Sequence, residues 1–167
     1  YQIRGAYSLV ILTNKKLIGV KDPFGIRPLV LGDKNGSPVL ASETCALDMI
    51  GAKYIRDIEN GEIVVITKNG IESIKPFKKI SERPCIFERI YFASPDSLIG
   101  NKTVYTYRKA LGEQLAIENN LSADVVVPIP DSGVSAAIGF SQKSRIPFEL
   151  GIIRSHYVGR TFIEPSQ

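Results

Sequence analysis

Two short runs toward the C-terminus hold the side chains best suited to an anionic substrate: Asp131-Ser132-Gly133 and Tyr157-Val158-Gly159-Arg160-Thr161-Phe162-Ile163. In the second run, Arg160 can make charge-assisted contacts to phosphate oxygens and Thr161 can add a hydroxyl. Tyr157 and Ile163 are large enough to exclude water when such a loop closes. Gly159 lets the backbone bend. The alternative is a surface loop whose Phe162 packs on the core. In the first run, free backbone N–H groups at a helix start can receive a phosphate, helped by the helix field. An ordinary N-cap, with Asp131 or Ser132 satisfying one donor, uses the same residues. Spacing alone leaves both readings open.

The elements that must position these runs are strand and helix in alternation. Residues 123–129 include the β-branched run Val125-Val126-Val127, the pattern of a strand buried on both faces of a parallel sheet. Residues 135–142 read as a helix and 148–153 as the next strand, which implies a right-handed parallel crossover with Asp131-Ser132-Gly133 at the carboxyl end of its first strand. Upstream, Val104, Tyr107, Leu111 and Leu115 have the three-to-four spacing of an amphipathic helix over residues 104–118. Ile90-Tyr91-Phe92-Ala93 reads as a β-prone run, followed by a turn at Ser94-Pro95-Asp96-Ser97.

The first half has a different character. Residues 7–12 and 17–20 form a hairpin pattern around Thr13-Asn14-Lys15-Lys16. Asp22-Pro23-Phe24-Gly25 suits a type I turn, and strands follow at residues 29–32, 39–41, 54–57 and 62–66. Lys68-Asn69-Gly70 ends the last of these. A short helical piece is expected at residues 43–50. The charged, proline-containing stretch at residues 75–84 marks a domain boundary, giving domains 1–80 and 81–167.

Composition excludes several classes. With 167 residues, 44% of them hydrophobic, the chain has enough apolar content for a substantial core. Its apolar runs fall short of the roughly 20 residues that span a bilayer, so no membrane partner is expected. The net charge of +4 is scattered among acids, which gives no nucleic-acid stripe; it fits a small phosphorylated substrate or an ordinary solvated surface equally. Two cysteines, Cys45 and Cys85, do not make a disulfide framework, and a reducing cytoplasm is the simpler setting. No Gly-x-Gly-x-x-Gly or Walker-type loop is present. A chain that opens on Tyr1 inside an apparent strand is expected to be cut from a longer one.

Asp22-Pro23-Phe24-Gly25-Ile26-Arg27-Pro28-Leu29 is similar to a segment of the glutamine amidotransferases whose nucleophile is an N-terminal cysteine, asparagine synthetases included. Ala41-Ser42-Glu43-Thr44-Cys45-Ala46-Leu47-Asp48 strengthens that class. With Pro128-Ile129-Pro130-Asp131-Ser132 and the Tyr157-Val158-Gly159-Arg160 run, the chain resembles the amidophosphoribosyltransferases over essentially its whole length. An asparagine synthetase fits the first half and fails on the second. The resemblance implies a mixed α/β fold: the rear part of an N-terminal-nucleophile glutaminase sandwich joined to the first βαβ units of a type I phosphoribosyltransferase domain. It implies transfer of the glutamine amide nitrogen to phosphoribosyl pyrophosphate in a cytoplasmic homo-oligomer. By the same resemblance Ser132, beside Asp131, helps hold the magnesium ion of the phosphoribosyl substrate. The loop with Tyr157, Gly159, Arg160, Thr161 and Ile163 closes over that substrate and lines the ammonia passage.

The same resemblance sets limits. The glutaminase nucleophile and oxyanion residues belong upstream of Tyr1, and the acidic Asp-Asp loop with its Gly-Thr-Thr cradle belongs after Gln167, so no catalytic residue is expected within this chain. Cys45 is internal, lacks a free α-amino group to serve as base, and reads as a small core residue. Cys85 aligns with the first ligand of a [4Fe–4S] cluster found in some members; a cubane commonly needs four thiolates, and a buried neutral thiol is the competing reading. Ser94, Ser155 and His156 depart from the usual Arg, Asn and Arg of the family, and His156 reads as a loop contact rather than a base. A binding module for ribose phosphates or for an amidotransferase subunit, and a truncated relic, are the readings that compete with an enzyme portion.

Overall fold

The computed structural model describes residues 3–157 and Gly159. They fall into two compact units, Tyr1–Val104 and Tyr105–Gln167.

The first unit is built from two antiparallel sheets. One has the order β1–β2–β6–β7, from β1 (Ser8–Leu12), β2 (Leu17–Lys21), β6 (Ile63–Thr67) and β7 (Gly70–Ile74). The other has the order β4–β3–β5, from β3 (Val30–Lys34), β4 (Ser37–Ala41) and β5 (Lys53–Asp57). Leu29, Leu31, Ile58, Val64 and Ile66 form a buried cluster with Leu17 and Leu40, drawing on strands of both sheets as a sandwich core does. Fully burying such a side chain is worth roughly 1.5–3 kcal/mol. On the other face of β3 and β4, Val30, Leu47 and Ala52 form a second cluster under α1 (Thr44–Met49). Gly32 makes that layer possible, because a Cβ there would lie 2.8 Å from the Leu47 side chain.

Turn chemistry fixes the register. Asn35 and Gly36, at φ 53° and 83°, close the β3–β4 hairpin with the two positive φ values that a tight antiparallel connection favours. The Asp22 turn is closed by the Gly25 N–H donating to the Asp22 carbonyl at 3.1 Å. The fully buried Asp22 carboxylate accepts the N–H groups of Phe24 at 2.9 Å and Ile26 at 3.1 Å. Gly25 has φ +65°, and a Cβ there would meet Asn60 Oδ1 at 2.1 Å, so both conformation and space require glycine.

Residues 75–85 lack regular structure. The compact unit nevertheless runs on to Val104, because the end of this stretch is hydrogen-bonded to the Asp22 turn. Arg83 N–H donates to the Phe24 carbonyl at 2.8 Å and Cys85 N–H to the Ile26 carbonyl at 3.1 Å. Ile90-Tyr91-Phe92 is not a strand. It belongs to a π-helical turn, Glu88–Phe92, closed by the Ala93 N–H donating to the Glu88 carbonyl at 3.1 Å. Arg27 overrides the local β-propensity there, with its Nε 2.9 Å from Glu88 and its guanidinium 4.8 Å from the Phe92 ring centre. A short hairpin follows, β8 (Leu98–Ile99) with β9 (Lys102–Thr103).

The second unit holds α3 (Val134–Ser144) and nearly all of α2 (Val104–Glu118). The helix bounds of α2 match the sequence pattern, but its buried face differs. Leu111 and Leu115 are about half exposed, while Val104, Arg108 and Gly112 are buried. Backbone proximity decides the face: a Cβ on Gly112 would lie 1.8 Å from the Ala136 carbonyl oxygen, and one on Gly139 would lie 2.0 Å from that of Lys109. The two helices meet through glycine. The expected strands on either side of α3 contract to one parallel bridge, Val126 with Phe148, carried by Val126 N–H to Pro147 O (2.8 Å) and Glu149 N–H to Val126 O (3.1 Å). Val125 and Val127 are 42% and 37% exposed rather than buried on both faces. A lone parallel pair has little to hold it beyond its own few hydrogen bonds.

Candidate functional site

The Val126 bridge ends in the buried Pro128, and the chain then turns through Asp131, Ser132 and Gly133 into α3. The Pro130–Asp131 peptide is cis. Gly133 is the N-cap of α3 and no side chain caps it. Of the two readings of Asp131-Ser132, the ordinary side-chain cap is therefore not the one adopted. Backbone groups close the turn instead: Gly133 N–H donates to the Ile129 carbonyl at 3.0 Å and Val134 N–H to the Asp131 carbonyl at 3.3 Å. Gly133 is sterically required, since a Cβ would stand 2.6 Å from the Ile129 carbonyl oxygen.

With no capping duty, the Asp131 carboxylate points outward and accepts a hydrogen bond from Arg154 Nη1 at 2.8 Å. Both side chains are more than half exposed, at 67% and 55%. Such a pair is worth little to stability, about 0–1 kcal/mol, and can open to admit a ligand at small cost. The arrangement puts a carboxylate and a guanidinium beside the helix start, with the Ser132 hydroxyl between the two in sequence. A carboxylate and a hydroxyl suit a magnesium ion whose other ligands are water and substrate phosphate oxygens. The guanidinium suits the phosphate itself.

Arg154 was not among the candidate site residues read from the sequence. Its ion pair with Asp131 was the missed part, and the signal was a cation at the end of the second strand of a crossover whose first strand ends in an acid. Tyr157 lies in an exposed turn with its side chain fully in solvent, and Gly159 has nothing within 4 Å of where a Cβ would sit. Arg160, Thr161 and Ile163 lie outside the described residues.

Cys85 is half-buried and lies in the first unit, as does Cys45; both are free thiols. Among the described residues no group of three or more His, Cys, Asp or Glu side chains is placed to hold a metal ion. The residues present therefore do not form an iron–sulfur site, and Cys85 can be at most one ligand of one. Cys45 Sγ lies 3.7 Å from the Glu43 carboxylate and its N–H faces Ser97 Oγ, which makes it a structural residue at the start of α1. No described helix is long and apolar enough to cross a membrane.

No family model matches the chain. The chain is 57% identical, over 99% of its length, to an amidophosphoribosyltransferase of Rhizobium etli, and 53% identical over 98% to that of Synechocystis. It is 54% identical over 99% to a chloroplastic amidophosphoribosyltransferase of Glycine max. It spans about a third of the length of these relatives, from 29% to 34%. Among solved structures it superposes on the glutamine phosphoribosylpyrophosphate amidotransferase of B. subtilis, complexed with ADP and GMP, with a TM-score of 0.91 and 47% identity. That match covers 98% of this chain and 36% of the other. A structure described as the allosteric regulatory enzyme of purine biosynthesis gives a TM-score of 0.90 at the same identity.

Proposed function

Because the chain belongs to the amidophosphoribosyltransferase family, we propose that it supplies the rear of a glutamine amidotransferase domain, residues 1–80, and the front of a phosphoribosyltransferase domain, residues 81–167. The enzyme so formed converts glutamine, water and phosphoribosyl pyrophosphate to 5-phosphoribosylamine, glutamate and pyrophosphate, the first committed step toward purine nucleotides. Ammonia released from the amide attacks the anomeric carbon. The new C–N bond replaces the C–O bond to pyrophosphate, which leaves with the bonding electron pair, and the nitrogen gives up a proton. The observation that carries this reading is the combination of 57% identity and a TM-score of 0.91 across essentially the whole chain.

In this reading Asp131 and Ser132 hold the ribose-phosphate end of the substrate together with its magnesium ion, and Arg154 exchanges its pairing from Asp131 to a phosphate oxygen. The support is the uncapped start of α3 and the exposed, easily opened ion pair beside it. The magnesium ion, when bound, neutralises pyrophosphate charge as that group leaves. Tyr157, Gly159, Arg160, Thr161 and Ile163 form the closing loop that keeps water from ammonia and from the cationic transition state. Cys85 stays a thiol unless other chain segments bring three more thiolates to it. The free thiols favour a reducing, cytoplasm-like compartment, and the active form is a homo-oligomer.

The test is an assay of the complete gene product carrying this chain with amide-labelled glutamine, phosphoribosyl pyrophosphate and magnesium. Label in phosphoribosylamine, with equimolar glutamate and pyrophosphate, is expected. Asp131→Asn should raise the KM for phosphoribosyl pyrophosphate by about tenfold, the worth of one charge-assisted contact. Glutamate release that never depends on that substrate, with no labelled amine, would sink the reading.

A further inference from the structure

Val126 and Phe148 pair in parallel, so the chain leaves both of them in the same direction. Asp131 and Arg154 lie a few residues further on, and their side chains meet, Arg154 Nη1 donating to Asp131 Oδ2 at 2.8 Å. α3 starts on Gly133 without a side-chain cap, which leaves the Asp131 carboxylate available for this contact. Each charge therefore blocks the other. The carboxylate suited to a divalent cation is held by a guanidinium, and the guanidinium suited to a phosphate is held by a carboxylate.

Such a pair treats ligands that come singly and ligands that come together very differently. A cation alone must displace Arg154 and then sit beside a freed guanidinium of like charge. A phosphate alone must draw Arg154 away and then face the bare Asp131 carboxylate. Charges of like sign a few ångströms apart repel appreciably even near a protein surface. When both ligands arrive, Asp131 takes the cation, Arg154 takes the phosphate, and no charge is left without its opposite. Both side chains are more than half exposed, so the exchange needs no rearrangement of the core. The pair itself resists opening by no more than about fivefold.

We infer that Arg154 is a built-in competitor for the metal: it holds Asp131 until a phosphate group draws it away, so the site takes a divalent cation and a phosphate together and neither of them well alone. The inference deepens the enzymatic reading above and rests on it for the identity of the site. By linkage, each ligand raises the affinity for the other by the same factor. Direct attraction between cation and phosphate supplies part of that factor. Arg154 supplies a further part, which substitution removes.

The experiment measures two equilibria in the complete gene product. One is the binding of Mn2+, standing in for magnesium, without phosphate, followed by the electron paramagnetic resonance signal of the free ion. The other is the binding of inorganic pyrophosphate in EDTA, without metal, followed by calorimetry. Arg154→Gln is expected to tighten Mn2+ about three- to fivefold and to weaken pyrophosphate about tenfold. Asp131→Asn should do the reverse, weakening Mn2+ and tightening metal-free pyrophosphate about threefold. Arg154→Lys keeps the charge and should hold Mn2+ within about twofold of the parent. A residue with a merely structural role would move both ligands in the same direction when replaced. Weaker binding of both ligands by Arg154→Gln, or an unchanged affinity for Mn2+, would overturn the inference. A parent protein that binds neither ligand, singly or together, would overturn the reading of the site with it.

Discussion

Glu62 and Glu88 are both buried carboxylates that face an arginine, and their surroundings push them in opposite directions. Burial alone would raise the Glu62 carboxyl, but hydrogen bonds from Arg56 (2.7 and 2.8 Å), Ser73 (2.6 Å) and the Glu59 N–H (2.7 Å), with the Arg56 charge, outweigh it and hold the group at about 2. A depressed carboxyl contributes stability that is full above its unfolded value, near 4.5, and disappears as pH falls toward 2. Because Arg56 is 37% exposed, the contribution is no more than about 1–2 kcal/mol after screening. Glu88 is raised instead, first by burial and also by Glu43, with Arg27 pulling the other way. Its Oε1 is buried and, despite Arg27 Nε at 2.9 Å, lies outside hydrogen-bond geometry. An elevated carboxyl binds its proton more tightly in the folded chain, so stability falls as pH rises from 4.5 through its folded value. Glu62→Gln should therefore lower Tm at pH 7, with the deficit shrinking below pH 4.5. Glu88→Gln should leave Tm unchanged or raise stability by up to about 1 kcal/mol at pH 7, a gain that vanishes in acid. Thermal melts of both variants from neutral to acid pH check the pair; a Glu88→Gln deficit at neutral pH as large as that of Glu62→Gln would contradict the assignment.

At the scale of elements, the second unit turns on the crossing of α2 and α3. Gly112 and Gly139 stand in helices, where alanine is ordinarily better by about 0.8–1 kcal/mol. Here the order is reversed, because a Cβ at either site would overlap a carbonyl oxygen of the facing helix at about 2 Å. Gly112→Ala and Gly139→Ala are each expected to destabilise the second unit by about 2–4 kcal/mol, while an exposed control such as Gln142→Ala changes it by less than about 0.5 kcal/mol. Hydrogen exchange across α2 and α3 reads the difference. The sequence shows both glycines but not their reason, since a contact between backbones leaves no apolar stripe. The reader of the sequence sees Leu111 and Leu115 and assigns them to the core, though both are about half exposed. Where local chemistry decides, the sequence is legible: the hairpin of β1 and β2, the Asp22 turn, β3 to β6 and the bounds of α2 all follow from short-range patterns. The strand β7 was harder to read, since Ile71-Glu72-Ser73-Ile74 does not alternate and all of its residues are exposed. The π-helical turn at Glu88–Phe92 was not legible, because the partner that shapes it, Arg27, lies 61 residues upstream of Glu88. The turn that leads into α3 was legible at Asp131-Ser132-Gly133 for the same short-range reason, whereas the Arg154 contact, which closes over 23 residues, was not.

At the scale of the whole molecule, the polar groups most capable of chemistry are spread along the chain rather than gathered. The only two cysteines are Cys45, held at the start of α1, and Cys85, half-buried after the irregular stretch; neither has the free α-amino group that activates an N-terminal nucleophile. The lone histidine, His156, is exposed in the turn beside Tyr157. No described trio of His, Cys, Asp or Glu is placed to bind a metal. A polypeptide of these 167 residues therefore offers no cysteine with a free α-amino group. It is expected to release no glutamate from glutamine above the uncatalysed rate, and to bind phosphoribosyl pyrophosphate with magnesium only weakly, since one carboxylate, one hydroxyl and one guanidinium leave most of the phosphate charge to solvent. An enzyme-coupled glutamate assay and calorimetry on the same preparation test both halves of this expectation. Turnover of glutamine would require an internal nucleophile, and the Cys45→Ser and Cys85→Ser variants would say which thiol had been misjudged. Tight, magnesium-dependent binding without turnover would instead mean that the Asp131 turn holds the substrate almost unaided, and Arg154→Ala would then be expected to abolish it.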